Sequence, residues 1–231
     1  MRRRYVVILV LVLALAGAGG IAFYYHYQGV NFASTDDARV AADMVTVSPE
    51  IPGKLLEWLV QEGDLVKAGQ VLGRQDLGSA LTSGTVNPQA MGAAAGVMAQ
   101  KAEIKAPIDG QVIQSKAVAG EMAAPGMPLA IIADTGHAYI SANIKETVIG
   151  KVRPGQVVDV QIDAYPGRTF SGRVAGIGRA TTSVFSLLPA QNASGNFTKV
   201  TQVIPVKIQL LDAGDVKLMP GMNATVRVHI K

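Results

Sequence analysis

Hydrophobic residues follow two different patterns along this chain of 231 residues. Near the N-terminus, Tyr5–Tyr25 form a run of 21 residues without a charge. Further on, apolar and polar residues alternate in short stretches that glycine and proline separate. Near the C-terminus, for example, Val226 and Val228 alternate with Arg227 and His229. This period of two predicts short β-strands with one buried face, so the chain is expected to be mostly β behind one long apolar segment.

The apolar run Tyr5–Tyr25 predicts an N-terminal transmembrane helix. An uncharged helix of this length spans about 30 Å, the thickness of the hydrocarbon core of a bilayer. Arg2–Arg4 precede it and favour a cytoplasmic N-terminus. A cleaved signal peptide is the alternative, because "ALAGAGG" offers small residues. The run is long for a signal peptide and continues past that site, so we expect an uncleaved single-pass anchor in the bacterial inner membrane, with the chain beyond residue 28 in the periplasm.

Small residues also line one face of the predicted anchor. Ala14, Ala18 and Ala22 lie four residues apart. Small side chains at this spacing allow a second transmembrane helix to approach closely. We therefore treat these alanines as a candidate face for a partner helix; the competing interpretation is that the anchor is simply rich in alanine.

Charge and cysteine content exclude several classes of function. The formal net charge is +4, but Arg2–Arg4 supply three of the 21 basic residues and leave 18 against 17 acidic ones. No run of basic residues is interleaved with aromatic residues, so nucleic-acid binding is not expected. The chain has no cysteine, which excludes disulfides, thiolate metal sites and a cysteine nucleophile.

Two stretches of the chain repeat each other at a distance of 57 residues. The first, "GKLLEWLVQEGDLVKAGQVLGRQD", starts at Gly53, and the second, "GQVIQSKAVAGEMAAPGMPLAIIAD", starts at Gly110. The glycines that keep the same spacing are expected at the turns of the repeat, with a positive φ at the last two of each copy: Gly53, Gly63 and Gly69, and Gly110, Gly120 and Gly126. Each copy is read as a strand, a glycine turn and a strand. One copy cannot bury a face alone, but two can close a small flattened barrel with pseudo-twofold symmetry.

The paired half-motifs resemble the biotinyl/lipoyl domain fold. In carrier proteins of that fold, the modified lysine lies on a tight hairpin between the halves. Here the junction, Leu77–Lys105, has neither a Met-Lys-Met nor an Asp-Lys sequence, and Lys101 and Lys105 stand at its far end. A lipoyl- or biotinyl-type carrier, or an enzyme accessory domain of that kind, therefore fits the junction poorly. It is kept as the alternative function.

A split lipoyl-like domain behind an N-terminal anchor is similar to the HlyD-type membrane fusion proteins, also called periplasmic adaptor subunits. "STDDARVAADMVTVSPEIPGKL", from Ser34, resembles the segment that leads into that domain in the EmrA-like branch. Residues His137–Gly178 resemble the β-barrel domain of the family, and "GNFTKVTQVIPVKIQL" and "LMPGMNATVRVHI" resemble the strands that complete it. Members usually carry a long coiled-coil hairpin between the lipoyl halves. Leu77–Lys105 is too short for one and has no heptads; its best helical stretch is Gln89–Lys101.

The expected fold is mostly β, with a transmembrane helix, a lipoyl-like barrel-sandwich hybrid and a membrane-proximal β-barrel. At most a short helical segment replaces the long hairpin. The expected domains are a cytoplasmic tip and anchor at 1–28, a linker and first barrel strand at 29–47, the lipoyl-like domain at 48–134, and the β-barrel at 135–231. The lipoyl-like halves are 48–76 and 106–134, with the insert at 77–105.

The sequence offers no constellation for catalysis. His26, His137 and His229 are not spaced as metal ligands. The serines of "TTSVFSLL" lack a GxSxG context, and Asp36–Asp37 is interpreted as a solvated linker rather than a carboxylate pair. We therefore expect no catalytic, metal or cofactor site and no enzyme activity.

The resemblance implies a non-catalytic adaptor of a bacterial export or multidrug efflux system. Its expected partner is an inner-membrane transporter, of the major-facilitator type by preference and of the ABC type as second choice. The resemblance also implies homo-oligomerisation. Direct contact with an outer-membrane channel is not expected, because the insert is short. A stand-alone envelope structural protein is a further alternative.

Overall fold

The computed structural model describes residues 11–20 (except 12 and 14), 31–76, 91–185 and 201–230 (except 213 and 215). Fourteen strands occupy these ranges: β1 Phe32–Ala41, β2 Met44–Val47, β3 Gly53–Trp58, β4 Leu65–Val66, β5 Val71–Gln75, β6 Glu103–Lys105, β7 Gly110–Ser115, β8 Met122–Ala123, β9 Ala130–Ala133, β10 Tyr139–Lys145, β11 Val157–Ile162, β12 Thr169–Ile177, β13 Val203–Leu210 and β14 Asn223–His229. The helices α1 Met91–Ala102 and α2 Glu146–Ile149 accompany them, with 3₁₀ turns at Thr135–His137 and Thr182–Phe185. The described residues within 11–20 are also helical. The chain divides into two compact units, Ala42–Ala138 and the remainder, which we call the sandwich unit and the barrel unit.

The predicted anchor lies largely outside the described residues. Within them, no helix has both the length and the apolar character needed to cross a bilayer. Of the three alanines of the candidate partner face, Ala14 and Ala22 are outside the described residues, and Ala18 is helical and exposed.

The barrel unit is a closed antiparallel barrel with the strand order β1-β10-β13-β12-β11-β14. Its core follows from the period-two pattern, because alternate side chains of each strand face the interior. Ile140, Val160, Ile208 and Val226 are fully buried in this way. Val152, in the loop between α2 and β11, is also buried, at 1% exposure. The short helix α2 follows β10 directly.

The sandwich unit consists of two four-stranded sheets, β2-β9-β7-β4 and β6-β5-β3-β8. Its core is built from positions that the repeat predicts to be equivalent. Leu55 and Val112 occupy the same place in the two copies, as do Leu72 and Leu129, and all four are buried. The helix expected at Gln89–Lys101 is found as α1, whereas residues 77–90 of the insert lie outside the described residues.

The boundary between the units differs from the expected one. We expected 29–47 to belong with the barrel, and β1 does join β10 and β14 there. However, β2 pairs with β9, from Met44↔Ala133 to Val47↔Ala130, and therefore belongs to the sandwich unit. The physical reason is the burial of Val47, which is only 3% exposed within the sandwich core.

Candidate functional site

The glycine turns of the sandwich unit have the backbone conformation that their sequence suggests. Gly63, Gly69, Gly120 and Gly126 have φ angles of 96°, 81°, 94° and 86°. Side-chain hydrogen bonds support the first turn: the Gln61 N–H donates to Asp64 Oδ2 at 2.7 Å. L-residues avoid positive φ because their Cβ collides with the backbone, so glycine is the residue that these turns accept without strain.

The turns at Gly63 and Gly120 are each held by a strand of the other copy. The Gly63 N–H donates to the Val112 carbonyl at 2.8 Å, and the Gly120 N–H donates to the Leu55 carbonyl at 2.7 Å. In return, the Leu55 N–H donates to Glu121 O and the Val112 N–H to Asp64 O, at 2.8 and 2.9 Å. All these pairs are related by the same offset of 57 residues. The two copies are therefore interlocked reciprocally, and neither can complete its hydrogen bonds alone.

The single tryptophan, Trp58, joins the two copies through its side chain. Trp58 Nε1–H donates to Ser115 Oγ at 2.9 Å. Ser115 is the position in the second copy that corresponds to Trp58 in the first, so equivalent residues contact each other across the pseudo-twofold axis. The indole also packs against the sandwich core.

Gly53 and Gly110 do not lie in turns, contrary to our expectation. They are the first residues of β3 and β7, and neither has a positive φ. A Cβ at Gly53 would lie 3.0 Å from the Asp76 carbonyl oxygen, and one at Gly110 would lie 2.3 Å from the Ala133 carbonyl oxygen. A side chain at Gly110 would collide with the neighbouring backbone, and a Cβ at Gly53 would make a tight contact with it.

One buried polar residue breaks the symmetry. Gln75 is 3% exposed, and its Nε2 donates to the carbonyls of Gly53 and Ala123 at 3.3 Å each. Its Oε1 is buried without a hydrogen-bond partner. The corresponding residue of the second copy is Ile132, which is fully buried. Gln75 thus ties β3 to β8 on one side of the sandwich only.

The sandwich unit exposes apolar side chains around its turns. Val118, Met122 and Met127 are 54%, 60% and 47% exposed. A shallow depression of about 200 Å³ lies beside Met122 and is lined by Val118 and Met127 among others. Clustered exposed apolar side chains mark surfaces that contact other proteins. This surface is the candidate contact region of the sandwich unit.

The two lysines of the carrier alternative are held in ion pairs. Lys101 Nζ lies 3.7 Å from Glu50 Oε2, at the end of α1. Lys105 Nζ lies 3.1 Å from Glu103 Oε2, on β6. Neither residue occupies a hairpin tip, where a swinging prosthetic group would need to be attached. Lys67 is an exposed lysine at the second glycine turn, where the Gln70 N–H donates to the Lys67 carbonyl at 2.9 Å, and the sequence pattern did not indicate it.

The histidines are dispersed in the described part of the chain. His229 Nε2 lies 2.8 Å from Asp159 Oδ2 on the outside of the barrel, and His137 Nδ1 lies 2.8 Å from Asp134 Oδ2. His26 is outside the described residues. No group of three or more His, Asp or Glu side chains among the described residues is arranged to hold a metal ion. The Asp159–His229 contact was not predictable from spacing, because the two residues are 70 positions apart.

Along the sequence, the barrel-sandwich hybrid lies between β1 and β10 of the β-barrel. This combination of two domains is typical of one known class of proteins. The family domain described as "RND MFP, barrel-sandwich hybrid domain" matches residues 43–135, and that described as "CusB-like, beta-barrel domain" matches residues 138–231. This chain belongs to the membrane fusion protein family.

Two relatives show how much of this chain is shared with other members of the family. YhbJ of Bacillus subtilis (strain 168) is 37% identical over 201 residues, which cover 87% of this chain and 81% of YhbJ. The "Multidrug export protein EmrA" of Escherichia coli (strain K12) is 38% identical over 134 residues, which cover 56% of this chain and 34% of EmrA. The chain thus spans about a third of the length of the longer curated relatives.

Solved structures show the same fold. The periplasmic adaptor protein EmrA has a TM-score of 0.53 and 16% identity, with 87% of this chain and 99% of the other covered. MacA from Actinobacillus actinomycetemcomitans has a TM-score of 0.63 and 16% identity, with coverages of 86% and 79%. At these identities the likeness concerns the fold alone.

Proposed function

We propose that this chain is a non-catalytic, membrane-anchored adaptor subunit of a bacterial export or multidrug efflux system. The observation that carries the proposal is the presence of both adaptor domains, in family order, over residues 43–135 and 138–231. The exposed apolar surface of the sandwich unit supports it, because an adaptor acts by binding other proteins. The anchor at Tyr5–Tyr25 holds the chain in the inner membrane, and the two units lie in the periplasm.

The proposed partner is an inner-membrane transporter. The relatives named as multidrug export proteins favour a drug exporter, of the major-facilitator type first and of the ABC type second. The adaptor is proposed to form a homo-oligomer that shapes a path for the exported substrate. The division of the domains at 29–47, 48–134 and 135–231 is kept for this proposal, with β2 transferred to the sandwich unit.

Co-purification and site-specific crosslinking test this proposal. A photo-crosslinking amino acid at Ala18 or on the barrel should yield an adduct with a polytopic membrane protein when the full chain is isolated from native membranes. The matched control places the same amino acid at Val160, which is buried in the barrel core and should yield no adduct. Adducts that contain only further copies of the chain would contradict an adaptor that binds a transporter.

The insert argues against direct contact with an outer-membrane channel. α1 has 12 residues and therefore rises only about 18 Å. Val97 and Met98 on α1 are 52% and 36% exposed, so a photo-crosslinker at either can report what α1 meets. We expect adducts with a neighbouring copy or with the transporter. Abundant adducts with an outer-membrane channel would refute this part of the proposal.

The carrier alternative is tested by the intact mass of the protein from its native host. An adaptor should have the mass of the unmodified chain. An added lipoyl or biotinyl group on Lys101, Lys105 or Lys67 would establish a carrier instead.

A further inference from the structure

One end of the barrel carries a group of exposed cations. It is the end at which β1 begins, because Phe32 pairs with His229 at the end of β14 and Lys145 at the end of β10 pairs with Val203. α2 and the loop to β11 cover this end, and the Glu146 N–H donates to Gln202 O there at 2.9 Å. The cations are Lys145, Lys151, Arg153, Arg173 and Arg179, and we call them the basic rim.

Local hydrogen bonds fix several of these cations on the rim. Arg153 Nη1 donates to the carbonyls of Gly150 and Val152 at 2.7 and 2.9 Å. Arg173 Nη1 donates to the Gly155 carbonyl at 3.3 Å, which draws it toward the same loop. In the part of the chain that the structure describes, none of the five takes part in an ion pair. Their charge is therefore available to an external partner.

Acidic groups near the rim do not neutralise it. Glu146 is exposed between Lys145 and Lys151. On β1, Asp36 is exposed and Asp37 accepts a hydrogen bond from Asn143 Nδ2 at 3.0 Å and lies 4.0 Å from Arg39. Asp159, on β11 near the same end, is engaged by His229 Nε2 at 2.8 Å. Among the described residues, the opposite end of the barrel carries two exposed acids and three exposed bases: Asp163, Asp212, Arg39, Arg168 and Lys217. The larger group of cations, the five without an ion pair, lies at the end where β1 begins.

The sequence places this end next to the proposed anchor. Only seven residue steps separate Tyr25, the last residue of the apolar run, from Phe32. At about 3.5 Å per residue, Phe32 lies within roughly 25 Å of the end of the anchor. We propose that the basic rim binds the headgroups of anionic phospholipids at the surface of the membrane that holds the anchor. Val184, 68% exposed in the 3₁₀ turn after β12, adds an apolar side chain near this end that can enter the headgroup region. This inference rests on the anchor of the proposed function.

The absence of cysteine permits a direct test on the full chain. A single cysteine at Thr147, which is exposed on α2 between the cations, receives a fluorophore, and the vesicles contain a headgroup-labelled quencher lipid. The control carries its label at Asn223, which is exposed at the start of β14 at the other end of the barrel. Vesicles consist of phosphatidylcholine with or without phosphatidylglycerol.

We expect quenching at Thr147 to increase when phosphatidylglycerol is present and to fall with added salt, while quenching at Asn223 stays constant. Each cation near an anionic surface favours its contact about fivefold, so the variant Lys145→Gln/Lys151→Gln should weaken the contact by about 25-fold. This variant leaves the structural hydrogen bonds of Arg153 and Arg173 intact. The exchange Lys145→Arg/Lys151→Arg should retain the effect.

Two results would overturn the inference. The first is equal quenching at Thr147 with and without phosphatidylglycerol. The second is quenching that appears only after the transporter is added, which would assign the rim to a protein partner. Flotation of the chain with vesicles at high salt reports the anchor separately. A chain that does not float under those conditions contradicts the anchor of the proposed function, whereas a floating chain without a lipid-dependent signal contradicts only the role of the rim.

Discussion

Replacing a turn glycine should destabilise the sandwich unit through its backbone alone. At Gly63, φ is 96°, and an added Cβ would have no other heavy atom within 4 Å. The substitution Gly63→Ala therefore introduces no collision with a neighbour and keeps the hydrogen bond from Gly63 N–H to Val112 O. The positive φ costs an L-residue about 1–3 kcal/mol, and the loss of unfolded-state freedom returns about 0.4–1 kcal/mol. The net expected loss of unfolding free energy is about 1–2 kcal/mol, and Gly63→Val should lie at the upper end of about 1–3 kcal/mol because its branched Cβ is more restricted.

The single tryptophan makes the assay specific for the sandwich unit. Trp58 is the only tryptophan of the chain, and its indole packs on the sandwich core. Urea unfolding of the full chain in mild detergent, followed by Trp58 fluorescence, therefore reports this unit. Gly120→Ala is the symmetric variant, with φ of 94° and the same open space, and should cost a similar amount. Gly96→Ala on α1 is the control, because its φ is not positive and its Cβ position is also open.

The control Gly96→Ala separates the cost of a positive φ from other effects of an added methyl group. Gly96→Ala should not lower stability, since alanine is a better helix former than glycine by about 1 kcal/mol. If Gly63→Ala and Gly120→Ala both left the unfolding free energy within about 0.3 kcal/mol of the parent, the turns would not require positive φ in solution. The reciprocal interlock inferred from them would then be wrong.

Three further substitutions test other features of the sandwich unit by the same fluorescence assay. Gly110→Ala should lower the unfolding free energy by about 2–4 kcal/mol, more than Gly63→Ala. Its Cβ would lie 2.3 Å from the Ala133 carbonyl oxygen and force β7 away from β9. A smaller loss of unfolding free energy than at Gly63 would show that the strands separate easily. Gln75→Ala should lower the unfolding free energy by about 2–4 kcal/mol, because it leaves a cavity and removes the donor to two strand carbonyls. Gln75→Met preserves the volume and should cost less than about 1.5 kcal/mol. Equal losses for the two variants would show that the hydrogen bonds and not the packing matter. Ser115→Ala should cost about 0.5–1.5 kcal/mol by removing the acceptor of Trp58 Nε1–H, and circular dichroism can follow it if the fluorescence itself changes.

The repeat made the sandwich unit predictable in unusual detail. Its glycines, spaced identically in both copies, indicated two equivalent turns, and the alternating valines indicated barrel strands. The helix of the insert was found close to its expected bounds, because residues 91–102 are rich in good helix formers. These features are local, and local sequence determines them.

The features that the sequence did not reveal depend on partners far along the chain. Gly53 and Gly110 were interpreted as turn glycines, although they begin strands: the Ala133 carbonyl excludes a side chain at Gly110, and the Asp76 carbonyl would contact a Cβ at Gly53 closely. The assignment of β2 to the sandwich unit depends on its pairing with β9, more than 80 residues later. The basic rim is likewise assembled from the end of β10, the loop after α2, β12 and the residues that follow β12. Residue types alone do not show which strands will be neighbours.

The ends of the insert are held together by a strand pair. β5 precedes residues 77–102 and β6 follows them, and the two strands are antiparallel neighbours: Arg74 pairs with Glu103, and Arg74 Nε lies 3.9 Å from Glu103 Oε1. The chain therefore leaves and returns at adjacent points of one sheet, and the ends of the insert are held together by strands that the sandwich forms in any case. Since the ends are fixed in this way, a longer insert adds little closure entropy. A long coiled coil or a short α1 can occupy the same place without disturbing the reciprocal turns. Variation in the reach of these adaptors can thus arise at one point of the fold, while the interlocked halves remain the same.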